Sequence, residues 1–138
     1  MAEKAMTSGA GRWLLPLVSA GVVGCATPAA PDAWTDLRVE SRGQDKGGEF
    51  CGDFSLTSEQ AGWFMRRARP RSAAQIHDEF EQLPCWVRGT VRRSGGLWHW
   101  EIRAGGTART EDPQGAVVLL GCNDCDAVLR GADAAPSR

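Results

Sequence analysis

From residue 49 onward the spacing of apolar residues changes period several times, and each change marks a predicted element. Glu49-Phe-Cys-Gly-Asp-Phe-Ser-Leu56 alternates as a half-buried strand does. Thr57-Ser-Glu-Gln60 is a capping-box pattern and predicts a helix that ends before Pro70, with Ala61, Phe64, Met65 and Ala68 as its core face. A second box, Ser72-Ala-Ala-Gln75, opens another helix in which Ala73, Ile76, Phe80 and Leu83 recur at helical spacing until Pro84 stops it.

At Cys85 the period becomes two. Val87 and Val91 share one face of Cys85 to Arg93, and Trp98, Trp100 and Ile102 share one face of Leu97 to Arg103. A Ser94-Gly95 loop pairs Val91 with Trp98, Val87 with Ile102 and Arg88 with Glu101; a Gly95-Gly96 loop keeps the faces and shifts the partners. Thr107 to Glu111 is a further strand. Ala116 to Leu120, the most apolar run outside the leader, is expected to be central or well covered. The fold expected is α+β: a small antiparallel sheet (hairpin or meander) with two short helices packed on one face, stabilised by disulfides.

With 138 residues there is room for one domain of modest size, and a net charge of -1 gives no bulk attraction for nucleic acid. The N-terminal part reads differently. Lys4 and Arg12 precede an uncharged run from Trp13 to Gly24 of secretory length, which predicts an export signal whether translation starts at Met1 or Met6. At Val22-Val23-Gly24-Cys25 this leader resembles the lipobox of bacterial lipoproteins. The resemblance implies cleavage before Cys25, diacylation of its thiol and acylation of the new amino group. An ordinary signal peptide cut elsewhere and a membrane-spanning helix are the competing readings; Pro16, Pro28 and Pro31 make a poor continuous helix. Ala26-Thr-Pro-Ala-Ala-Pro-Asp-Ala33 suits an extended tether. The expected organisation is a lipoprotein signal peptide at 1–24, lipidated Cys25 and a Pro/Ala-rich tether at 25–36, an α+β domain at 37–126 and a disordered tail at 127–138. Ala26, where an aspartate would signal inner-membrane retention, favours the outer membrane of a bacterial envelope, facing the periplasm.

Cys51, Cys85, Cys122 and Cys125 are an even set in an exported domain and predict two disulfides, for which the sequence allows three pairings. Loop entropy favours bonds tying Cys51 and Cys85 to the Cys122/Cys125 pair, by roughly 3 to 5 kcal/mol per long loop. As a redox motif, Cys122-Asn-Asp-Cys125 lacks a following amphipathic helix; as half of a zinc site it lacks a second close pair.

No nucleophile elbow, zinc-protease helix or phosphate loop is present, so neither a catalytic residue, a metal nor a cofactor is assigned. His77 and His99 are the candidate titrating groups, and their separation in sequence does not say whether they meet. Arg66, Arg67, Arg69 and Arg71, four arginines in six positions, form the candidate patch for an anionic partner, joined by Arg88, Arg92 and Arg103 on the outer sheet face. Pro84-Cys85, Trp100-Glu-Ile102 and the terminal Cys122 to Cys125 give the body a loose resemblance to small exported proteobacterial proteins of unknown function, which implies no activity. The expectation is therefore a membrane-anchored envelope lipoprotein that works as a non-enzymatic binding module. Its partners are the membrane, through the lipid, and an acidic protein or anionic envelope polymer, not nucleic acid. The alternatives are an inhibitor or immunity protein against an exported toxin, and an envelope enzyme.

Overall fold

The period-two sequence after Pro84 forms the centre of the sheet. β3 (Cys85–Arg93) and β4 (Gly96–Arg103) pair through the Ser94-Gly95 turn with Val91 opposite Trp98, Val87 opposite Ile102 and Arg88 opposite Glu101. Gly95 takes the positive φ, 91°, that a two-residue hairpin loop demands. These features come from a computed structural model that describes residues 34–46 and 51–131. The leader 1–24, Cys25, tether residues 26–33 and tail residues 132–138 lie outside the described residues.

β5 (Thr107–Glu111) and β6 (Val117–Gly121) continue the meander. With β1 (Thr35–Gln44) beside β3 and the two-residue β2 (Arg69–Pro70) beside β6, the sheet has six antiparallel strands in the order β1-β3-β4-β5-β6-β2. One face buries Val87, Val91, Trp100 and Ile102 against α1 (Ser58–Arg67), which contributes Ala61, Phe64 and Met65. Trp100 lies flat because residue 89 is glycine: a Cβ there would fall 2.5 Å from the indole ring. The indole Nε1 donates to the Thr90 carbonyl at 3.0 Å, so the ring is buried without an orphan donor.

α1 and α2 (Ala73–Glu79) both start on closed capping boxes. Thr57 Oγ1 accepts from the Gln60 N–H at 3.1 Å while Gln60 Oε1 accepts from the Thr57 N–H at 2.9 Å, and Ser72 and Gln75 repeat the exchange. The α+β architecture, the faces of the hairpin and the α1 core face are as the sequence predicts, and of the two hairpin registers left open the Ser94-Gly95 one is formed.

Five details differ. Residues 51–57 are irregular, with a turn at 52–53, rather than a strand, and Glu49 and Phe50 of the expected strand lie outside the described residues. The first strand is instead β1, whose alternation is masked because its ladder with β3 slips between Thr35 and Arg38 and again between Val39 and Ser41. α2 stops at Glu79, since Phe80 is already extended (φ -127°, ψ 146°), and α2 buries none of its residues. The segment after α2 also lies on the face opposite α1: a Cβ at Gly121, on the face shared with Leu119 and Arg109, would meet the Phe80 ring at 2.5 Å. The extended pair Arg69–Pro70 at the sheet edge lets the chain cross between faces. β6 is less covered than expected, with Val117 and Val118 exposed, because β2 reaches only Leu120 and Gly121. Finally, Val128 and Leu129, read as tail, form the buried side of a short helix, α3 (Asp126–Leu129).

Candidate binding groove

Both disulfides sit at one end of the sheet. Cys85 opens β3 and bonds to Cys51, and Cys122, just past β6, bonds to Cys125. This corrects the long-loop pairing. Cα atoms 5.2 Å and 5.6 Å apart place each bond within ordinary reach, and the turn from Cys122 to Cys125 brings its two thiols together with a separation of only 3 positions. The turn is held on both sides, by Cys122 N–H donating to the Gly106 carbonyl (2.9 Å) and Leu129 N–H donating to the Cys125 carbonyl (3.1 Å).

Between the two disulfides runs a groove of two adjoining depressions. One, about 580 Å³, lies between the chain after α2 and α3; the other, about 390 Å³, lies over Cys51–Cys85. Leu83, Ala104, Leu129 and Arg130 line both, so the two depressions adjoin along these four residues. Glu79 and Glu81 line the first depression from the chain after α2, and Asp126 lines it from α3, where it pairs with Arg130 at 4.0 Å. Its backbone is tightly set: a Cβ at Gly105 would run into the Glu81 carbonyl. A partly apolar floor with charged walls and fixed backbone suits an extended segment of another molecule. Sequence reasoning missed Leu83, Ala104, Leu129 and Arg130 as neighbours. The usable signal was the apolar pair Val128-Leu129 immediately after the last cysteine.

The arginine cluster divides. Arg67 pairs with Asp124 at 2.8 Å and stacks on Trp63 at 4.5 Å, and Arg71 Nη2 reaches Asn123 Oδ1 at 3.5 Å. Both therefore brace the Cys122–Cys125 turn. Arg69 donates to the Arg66 and Ala68 carbonyls at the end of α1, which places a cation where the helix dipole is negative, and Arg66 is exposed. The Arg67 hydrogen bond holds the Asp124 carboxyl below its usual range. Cys122 Sγ lies 3.2 Å from Asp124 Oδ1, but both sulfurs are in the disulfide and offer no thiolate to a metal or substrate.

On the opposite face, Glu101 is 10% exposed between Arg88 Nε (2.7 Å) and Arg103 Nε (2.8 Å). Arg103 also donates to Asp45 at 2.7 Å, and that hydrogen bond lowers the Asp45 pKa. Arg88 stacks on Trp86. Arg88 and Arg103 are thus engaged within the molecule. His99 lines a depression of about 200 Å³ with Arg88, Glu101, Arg109 and Glu111. His77 does not line it; its ring is 83% exposed and touches Asp78 Oδ1 at 2.9 Å. The structure does not bring the two histidines to that site. Comparison with known protein families, curated proteins and solved structures finds no match for the chain.

Proposed function

We propose that this chain is a lipid-anchored envelope protein whose domain is a non-enzymatic binding module, taking an extended segment of a protein partner into the groove between its disulfides. The observation that carries the reading is the convergence of both disulfides, the chain after α2 and α3 around two adjoining depressions that share Leu83, Ala104, Leu129 and Arg130. Such a lining is held by covalent links and main-chain hydrogen bonds, so little ordering entropy is lost on binding. The export signal and the Cys25 lipobox supply the compartment, and oxidised cysteines fit it. Arg66 and Arg69, both exposed, are the part of the arginine cluster open to an anionic partner.

The test is photo-crosslinking in cells from a benzophenone side chain placed at Glu81, Asp126 or, as a control, Arg92. Adducts of one defined mass from Glu81 and Asp126 and none from Arg92 are expected. Equal adducts from all three positions, or none, would overturn the groove as the binding site. Intact mass of the detergent-extracted protein should show acylation at Cys25, and a bare thiol there would overturn the anchor.

A further inference from the structure

All three exposed large hydrophobic residues among the described residues, Leu97 (42%), Val117 (45%) and Val118 (40%), lie toward one end of the sheet, the end opposite the groove. Two turns form that end. Ser94-Gly95 joins β3 to β4, and residues 112–116 join β5 to β6. They are neighbours, since a Cβ on Gly96 would lie 3.2 Å from Pro113 Cγ. Residues 94–97 and 113–118 are exposed throughout.

The chain enters the sheet at the same end. Thr35 is opposite Arg92, and its Oγ1 donates to the Arg92 carbonyl at 3.2 Å. The Arg93 guanidinium lies 4.4 Å from the Trp34 ring and 4.5 Å from the Trp98 ring, so a cation sandwiched between two indoles fixes the entry point beside the hairpin turn. Eight residues, 26–33, separate Cys25 from Trp34. Even fully extended, they span no more than about 30 Å. A domain held by its Trp34 end on so short a tether keeps that end toward the surface in which the anchor is embedded.

We infer that this end is a lipid-contacting surface: Leu97, Val117 and Val118 touch the headgroup and upper acyl region of the membrane while the groove faces away. The inference rests on the lipid-anchor reading. The charges around the turns agree with shallow contact, since Arg38 and Arg92 share Asp36 and Asp112 closes the second turn, so charges of both signs border the apolar residues. Exposed apolar residues rimmed by paired charges mark an interaction site, and a planar partner can meet both turns at once.

The experiment is amide hydrogen exchange on the acylated full chain in phosphatidylethanolamine/phosphatidylglycerol vesicles, comparing wild type with a Leu97→Asp/Val117→Asp variant. Both substitutions are at exposed positions, so the fold is retained. Peptides covering 92–96 and 112–116 should exchange about threefold or more slowly in the wild type than in the variant, after correction for intrinsic rates, with peptides covering 122–130 unchanged. Equal exchange with the acyl mass present at Cys25 would overturn the surface and leave the anchor standing. Absence of the acyl mass would overturn both. Protection that rises with protein concentration at fixed lipid would identify a second copy as the occupant and overturn the lipid assignment.

Discussion

On one face of the β3-β4 hairpin, Val87, Val91, Trp100 and Ile102 are shielded from water by α1 and the chain around it. On the other, Arg88, Glu101 and Arg103 are joined by ion pairs of 2.7 and 2.8 Å, and Arg88 is half exposed. The same two strands thus rely on volume on one side and on direction on the other. Apolar burial scales with area and tolerates angular error, whereas a carboxylate between two guanidiniums is favourable only while each hydrogen bond is made. Losses on the first face should therefore be large and follow side-chain size, and losses on the second should be smaller and follow charge.

The largest effect is expected at neighbouring positions that point to opposite faces. Trp100→Ala removes a ring buried on the apolar face and should cost about 3 to 5 kcal/mol, while His99→Ala on the exposed side should stay within about 0.5 kcal/mol. Trp98, partly buried under Arg93, should fall between them. Denaturant melts of the three variants decide it, and equal losses at 99 and 100 would show that the faces are misassigned.

Next come the cross-links at the groove end, which belong to neither face. The Cys51–Cys85 loop is 34 positions long and the Cys122–Cys125 loop only 3. In the chain-entropy account, replacing the first pair by alanine should cost about 4 kcal/mol and the second about 2 kcal/mol. A thiol count on the unreduced protein should find none of these four sulfurs free. Equal losses for the two pairs would mean that the cross-links act through native contacts rather than through the unfolded chain.

Legibility in the sequence follows the same division between local and distant causes. Capping boxes at Thr57 and Ser72 and the two faces of the β3-β4 hairpin are set by residues close in sequence and were readable, whereas the Ser94-Gly95 turn, with its Val91–Trp98 register, was one of two that the three small residues Ser94, Gly95 and Gly96 allow. β1 was not, because two ladder slips erase its alternation and its edge position leaves many polar residues exposed. The disulfide pairing was misjudged because loop entropy describes the unfolded chain and says nothing of where the folded chain places each thiol. The groove was illegible for a further reason: Leu83 and Ala104 come from two separate connections and Leu129 from α3, and they meet only once the sheet has formed.

A smaller loss is expected on the ionic face. Glu101→Gln keeps the shape and removes the charge shared by Arg88 and Arg103, which should cost about 1 to 3 kcal/mol. A Glu101→Gln chain as stable as wild type would place this network among ion pairs that contribute nothing, and the two faces would then differ in kind as well as in degree.

The smallest effect should appear with pH, at two carboxylates at the margins of the molecule. Asp45 is held below its usual range by a hydrogen bond from Arg103, and Asp124 by one from Arg67. Each stays ionised to lower pH in the folded protein than in the unfolded chain. Their contribution is therefore complete above the unfolded value, about pH 4, and is lost as pH falls through the folded values. An Asp45→Asn/Asp124→Asn chain should have a slightly lower urea midpoint than wild type at neutral pH, and the gap should narrow in acid, as pH falls through the lowered folded values and the native carboxyls take up protons. Added salt should narrow the gap at neutral pH, because both groups are exposed and their attraction is screened. A gap of the same size at both pH values would mean that the amides act through packing, and the charge assignment at these two positions would fall.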